Sequence, residues 1–268
     1  MKLSVCALFL SLLVSCLQTT VNVYVRSDGA GQVQETVLLT HDAVELLRGL
    51  QALDSDEEFS LIERAMLADA AVRMGPGVRL VSAVPIETGA ADGYEALFAF
   101  DRVDDLVLEG NYGERLQLTG LTPLDTFASD ELIRFGFSRN DVSKLSVAFV
   151  SGTDDTLGAE PEYPDGYGEP SPGPSELDRM TMREYYRGMK YALTVAVDGS
   201  IVETDASYVR DGTVTLMKID FDLFLDKTAA AEELFYGKYD TLESLRSLAE
   251  GIPGMLIEPR DTIEVIFR

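Results

Sequence analysis

Residues 21–39 read VNVYVRSDGAGQVQETVLL. Val21, Val23 and Val25 alternate with Asn22, Tyr24 and Arg26, the two-residue period of a strand with one apolar face. Asp28-Gly29-Ala30-Gly31 follows, a turn with two glycines that can adopt positive φ without a Cβ clash. Val33, Val37 and Leu39 then mark a second strand. An antiparallel hairpin is predicted, and the rest of the chain repeats the theme.

Beyond the hairpin the period becomes helical. Val44, Leu47, Leu50 and Leu53 form one stripe, and Phe59, Ile62, Met66 and Ala70 form another. Between them Ser55 and Glu58 make a capping-box pattern, so a second helix is predicted to run from there to the stop at Gly75-Pro76-Gly77. Tyr94, Ala96, Phe98 and Phe100 alternate after Asp92-Gly93, so this run and Arg79–Ile86 form a second hairpin candidate. Asp101–Leu108 is predicted as a short helical turn and Arg115–Leu118 as a strand, with Leu132–Phe137 and Leu145–Val150 as a further strand pair.

Residues 151–175 break the pattern. They carry five prolines and five glycines, with Leu157 the sole aliphatic residue larger than Ala. Such a stretch cannot bury enough surface to offset its ordering entropy, so it is expected to be a loop or linker. Glu176–Gly188 is predicted as a helix. Asp198-Gly199 is expected to join Tyr191–Val197 to Ile201-Val202 as a third hairpin, and Asp211-Gly212 to make a fourth from Ser207–Val209 and Thr213–Ile219. Helices are expected at Asp222–Lys227, Ala229–Tyr236 and Leu242–Glu250, and a last strand at Ile263, Val265 and Phe267.

Hairpins separated by helices, without regular strand–helix alternation, indicate an α+β fold with mostly antiparallel sheet. The expected organisation is a leader at 1–15, an N-terminal portion at 16–150, the acidic linker at 151–175 and a C-terminal portion at 176–268. Whether the two portions are separate domains stays open, because the last strand could return to the first sheet.

The chain has 268 residues and a formal net charge of −24. That balance argues against nucleic acid, which needs a basic patch to displace counterions, and against a polybasic grip on anionic lipid. The acids are unevenly spread: no Lys or Arg stands between Lys144 and Arg179. One His and two Cys leave no room for most His- or Cys-based metal sites.

The N-terminus adds a targeting pattern. Met1-Lys2 is a short positive start, and Leu3–Val14 is an apolar run too short to span a bilayer as a helix. It ends in Leu13-Val14-Ser15-Cys16, which resembles the bacterial lipobox. The resemblance implies cleavage before Cys16, a diacylglyceryl thioether on its sulfur and acylation of the new amine. The membrane is then a partner reached through lipid-modified Cys16, and the cell envelope is the expected location. Cys6 falls in the removed segment, so acylation would account for the unpaired thiol that remains. A plain secretory signal containing a Cys, or an uncleaved hydrophobic N-terminus, are the competing readings. Leu17 stands where some Gram-negative lipoproteins carry an Asp that retains them at the inner membrane, which points to the outer membrane facing the periplasm.

The layout of Cys16, strand, Asp28–Gly31 turn, strand, helices and later hairpins also resembles poorly characterised envelope lipoproteins of the LppM type. Ile201–Ala206 and Asp211–Leu216 add to the likeness. The chain is expected to differ from that type in lacking a C-terminal membrane span, because Arg268 directly follows a predicted strand. The resemblance implies no catalytic residues.

Catalytic motifs fail on inspection. Gly136-Phe137-Ser138-Arg139-Asn140 lacks the final Gly of a nucleophile elbow, and no Ser stands three residues before a Lys. Any His-assisted nucleophile must use His41, which heads a predicted helix beside Asp42. Gly29-Ala-Gly31 joins two strands and lacks the third Gly of a dinucleotide loop. Calcium could be imagined at Asp101, Asp104 and Asp105, or at Asp154-Asp155, but no EF-hand spacing is present. Met180, Met182, Tyr185 and Tyr186 could line an apolar groove, and at that spacing read more simply as helix core. No cofactor is expected. The expected function is non-catalytic binding or assembly of an envelope protein, lipid or polymer. A carboxylate-based hydrolase and a carrier of an apolar ligand are the alternatives.

Overall fold

The computed structural model describes residues 17–54, 59–109, 131–151, 186–225 and 242–268. The predicted hairpin is present: β1 (Leu17–Val25) pairs antiparallel with β2 (Gly31–Thr40), and Val23 faces Val33. The odd-numbered side chains of β1 are buried from Leu17 to Val25, as the alternation requires. In the turn Gly29 has φ +83, and a Cβ there would come within 2.6 Å of the Phe137 ring. Glycine is therefore demanded both by the backbone and by a neighbour on another sheet.

β3 (Arg79–Glu87) and β4 (Ala91–Phe100) form the second hairpin, and β4 lies against β2. β8 (Lys190–Val197) lies on the other side of β1 and runs parallel to it. β11 (Thr213–Asp220) adds antiparallel to β8, followed by the short β10 (Val209–Arg210). The resulting order is β10-β11-β8-β1-β2-β4-β3, with β12 (Met255–Ile257) also paired to β11, eight strands in all. A second sheet of five strands runs β5 (Val107–Glu109), β6 (Glu131–Arg139), β7 (Ser143–Ser151), β13 (Thr262–Phe267) and β9 (Ile201–Thr204). Among the described residues every strand pair except β1 with β8 is antiparallel, so the architecture is the expected α+β fold with mostly antiparallel sheet.

Both portions of the chain feed both sheets. β8 from the C-terminal portion extends β1, and β13 pairs with β7. The inward side chains of the two sheets share one apolar cluster, from Val21, Val33 and Phe98 on the large sheet to Leu145, Val265 and Phe267 on the small one.

Three local expectations need correction. Asp198-Gly199 closes no hairpin: β8 belongs to the large sheet and β9 to the small one. The turn carries the chain between sheets. Gly199 has φ +99, Asp198 N–H donates to the Val25 carbonyl at 2.8 Å, and Ser200 exchanges backbone hydrogen bonds with Arg268. The dipeptide signals a tight reversal but not which strand receives the chain.

The second predicted helix begins late. α1 (His41–Asp54) is as expected, but α2 spans Arg64–Arg73. Phe59 and Ile62 precede it in non-helical backbone, with the Ser60 Oγ accepting from Ile62 N–H at 3.1 Å. That hydroxyl turn competes with the helix for the same amide. Ser55 and Glu58 lie outside the described residues. In Asp101–Leu108 the helical part shrinks to a 3-10 turn at Val103–Asp105, and β5 follows.

Two more helices are described, α3 (Phe221–Leu225) and α4 (Leu242–Ala249), the latter burying Leu242, Leu245 and Leu248. The expected strand at Arg115–Leu118, the linker from 152 onward, the helix before Tyr186 and the helix at Ala229–Tyr236 lie outside the described residues.

Candidate functional site

Cys16, the expected lipid-modified residue, lies outside the described residues, but its neighbour Leu17 opens β1. The strand next to the expected anchor is thus hydrogen-bonded on both sides, to β2 and β8. Leu17 faces Leu39, Gln18 faces Lys190, and Thr40 faces Ala91, so these strand ends share one rim of the large sheet. His41 sits on that rim with Nε2 3.2 Å from Asp92 Oδ1. Lys190 Nζ is 2.9 Å from Asp220 Oδ2, and this hydrogen bond, ahead of other causes, raises the lysine pKa.

Two buried carboxylates were not foreseen. Glu35 occupies an inward position of β2 between Val33 and Val37 and is 4% exposed. Tyr94 on β4 donates its hydroxyl to Glu35 Oε1 at 2.9 Å. The two side chains are diagonal neighbours on one sheet face, since Glu35 faces Ala96 and Tyr94 faces Val37. They form the floor of an open cleft beneath α2, with Leu67 and Met66 on its wall and Glu63 and Arg73 also lining it. An acid in the middle of an apolar alternation was the signal available in the sequence.

The second is Glu258, fully buried directly after β12. Its carboxylate accepts from Ser207 N–H at 2.8 Å, from the Ser207 hydroxyl at 3.0 Å and from Arg260 N–H at 3.3 Å. The Arg260 guanidinium approaches to 3.6 Å. Arg246 on α4 holds the same loop from outside, donating to the carbonyls of Glu258 at 2.7 Å and Arg260 at 2.8 Å and pairing with Asp261. Its guanidinium also lies 5.1 Å over the Phe149 ring. Residues 205–208 carry the chain from β9 to β10 and residues 258–261 carry it back from β12 to β13. Glu258 therefore ties together two passages between the sheets, which is a structural task.

The remaining candidates resolve into ordinary contacts. Asp101 pairs with Arg79 at 3.1 Å, Arg102 lies 3.5 Å from Asp104, and Asp104 accepts from Phe137 N–H at 2.8 Å. Among the described residues no group of three His, Cys, Asp or Glu side chains is placed to hold a metal ion. Ser138 lies within β6. Tyr186 is buried and stacked on Phe221, with ring centroids 5.1 Å apart, as core packing. Asp154, Asp155, Met180, Met182 and Tyr185 lie outside the described residues.

Among the described residues the geometry shows a two-sheet α+β protein with an open cleft lined by Glu35, Glu63, Arg73 and Tyr94. No family profile matches the chain, and no curated protein does. Solved structures similar to it include the folded domain of LppM from Mycobacterium tuberculosis, with 10% identity over 94% of this chain and 90% of that one and a TM-score of 0.31. Another is an M1 zinc metallopeptidase from Deinococcus radiodurans, with 12% identity over 76% of this chain and 39% of that one and a TM-score of 0.22. At these values neither likeness carries a role across.

Proposed function

We propose that the protein is a lipid-anchored lipoprotein of the bacterial envelope that binds a partner without turning it over. The observation that supports this reading is the junction of sequence and fold at residue 16. Leu13-Val14-Ser15-Cys16 ends directly before Leu17, the first residue of an interior strand. A lipid at Cys16 would fasten the sheet to the membrane with no linker. Two acyl signals give stable attachment where a single chain does not. Among the described residues no helix is long and apolar enough to cross a membrane. The test is Cys16→Ser: the protein should leave the membrane fraction and its acylated N-terminal peptide should vanish. Unchanged fractionation with an unmodified wild-type Cys16 would overturn the anchor.

A second reading, a carboxylate-based hydrolase, has one observation in its favour: Glu35 and Glu63 line the same cleft, with Tyr94 beside them. It requires turnover of an envelope glycan by the purified protein that Glu35→Gln abolishes while the melting temperature holds. Absence of turnover removes it.

A further inference from the structure

The outward face of the large sheet contrasts with the rest of the molecule. Across its middle the strand registers align Thr215, Thr194, Asn22, Gln34, Leu97 and Ser82 in one row from β11 to β3. The neighbouring rows place Tyr24 beside Gln32 and Thr20 beside Thr36. In the stretches Thr20–Tyr24, Gln32–Thr36, Glu95–Ala99 and Ala192–Ala196, the sole charged outward side chain is Glu95, in a chain of net charge −24, and on the strands to either side Lys218 faces Ala192 and Arg79 faces Ala99.

The side chains on this face are held in place. Thr194 Oγ1 donates to Asn22 Oδ1 at 2.7 Å, Gln34 Nε2 donates to Glu95 Oε2 at 2.7 Å, and the Tyr24 hydroxyl donates to Asp198 at 3.2 Å. Asn22 uses its amide oxygen in these bonds and Gln34 its amide N–H₂, so the row still carries the Asn22 N–H groups as donors and the Gln34 oxygen as an acceptor. Fixing them beforehand lowers the entropy cost of binding.

Size and chemistry select the occupant. With strands about 4.8 Å apart and about 3.3 Å per residue, the face is about 24 Å wide and about 16 Å tall. Its area, about 400 Å², falls short of the roughly 800 Å² per partner of a stable protein interface, and its centre lacks the apolar core such interfaces have. A polyanion would be repelled by the acidic body. We propose that this face binds an uncharged polyhydroxylated chain, a neutral glycan, laid across the strands along the Thr215–Ser82 row, with the Tyr24 ring as its stacking surface. The inference deepens the binding role proposed above by naming the partner class, and it does not depend on acylation.

The test is affinity electrophoresis of the full chain, purified in a polyoxyethylene detergent so that no sugar headgroup competes. Native gels would contain dextran, amylose or galactan, with hyaluronan as the anionic control. Retardation by at least one neutral polymer and none by hyaluronan is expected. Asn22→Ala with Gln34→Ala should weaken it at least fivefold at unchanged melting temperature. If that pair fails to fold, Gln32→Glu adds charge to the face at an exposed position and should weaken binding likewise. Equal mobility in all three neutral gels, retardation by hyaluronan alone, or retardation indifferent to the folded variants would overturn the proposal. Each of these results leaves the Cys16→Ser fractionation outcome untouched, so the anchor and the glycan face fail separately.

Discussion

Glu258→Ala should be among the most damaging substitutions in the protein. The carboxylate is 0% exposed and takes hydrogen bonds from two backbone amides and one hydroxyl. Alanine would strand those donors and leave a cavity where two passages between the sheets meet. Breaking a buried charged network by removing one partner costs about 3–5 kcal/mol. For a chain of this size each kcal/mol lowers the melting temperature by about 2–4 °C, so a fall of about 6–20 °C is expected. Glu258→Gln keeps the volume but turns an amide N–H₂ toward one of the donors, costing about 1–3 kcal/mol. Asp261→Ala is the control. That side chain is 84% exposed although it pairs with the same Arg246, and exposed pairs contribute about 0–1 kcal/mol. Urea titration would read all three, with unchanged slope because the same surface is exposed on unfolding. A loss below about 1 kcal/mol for Glu258→Ala, or one equal to that of Asp261→Ala, would refute the assignment of Glu258 as the tie between the passages.

Gly29→Ala should cost about 2–4 kcal/mol by urea titration, because φ +83 disfavours any Cβ and the new methyl would enter the Phe137 ring space. The Asp28 carboxylate accepts from Ala30 N–H at 3.0 Å, and this bond holds its pKa below the usual aspartate value. Its contribution is therefore present above about pH 3.9 and lost as pH falls through the lowered value; the Ala30 amide shift in NMR should titrate on the acid side of a free aspartate. Lys190 has the opposite sign: its raised pKa means that the Asp220 pair stabilises fully below about pH 10.4 and fades as pH climbs through the raised value. The difference in urea midpoint between wild type and Lys190→Met should shrink in that alkaline range.

The elements legible in the sequence are those whose signal is local. Val21 to Val25 and Tyr94 to Phe100 alternate because one sheet face meets the core, and that period survives in any sheet order. The partners of a strand are not local. Asp198-Gly199 and Asp211-Gly212 look alike as dipeptides, yet the first passes the chain to another sheet and the second closes the hairpin between β10 and β11. What separates them is the C-terminal strand, whose Arg268 takes the bonds of Ser200 that β8 would have needed. β12 escaped notice because three residues are too few to show a period. Of the two buried acids, Glu35 announces itself by interrupting Val33 and Val37. Glu258 sits in Glu258-Pro259-Arg260-Asp261, which reads as a charged surface turn, and its burial is decided by Ser207, 51 residues earlier.

The parallel pairing of β1 with β8 changes what an anchor at Cys16 would mean. In a lipoprotein with a long spacer, the tether can move without consequence for the fold. Here the next residue enters a strand bonded along its length on both sides, from Gln18 with Lys190 to Val25 with Val197 and from Leu17 with Leu39 to Val25 with Gly31. A lipid at Cys16 would hold the His41–Asp92 rim near the headgroups and leave the Asp28–Gly29 turn at the other end of the strand, about 26 Å along it. The acids Asp42, Asp92 and Asp220 at or beside that rim would resist flattening of the body onto an anionic surface. The outward sheet face, whose rows cross β1, would then stand beside the bilayer, open to a polymer running alongside the membrane.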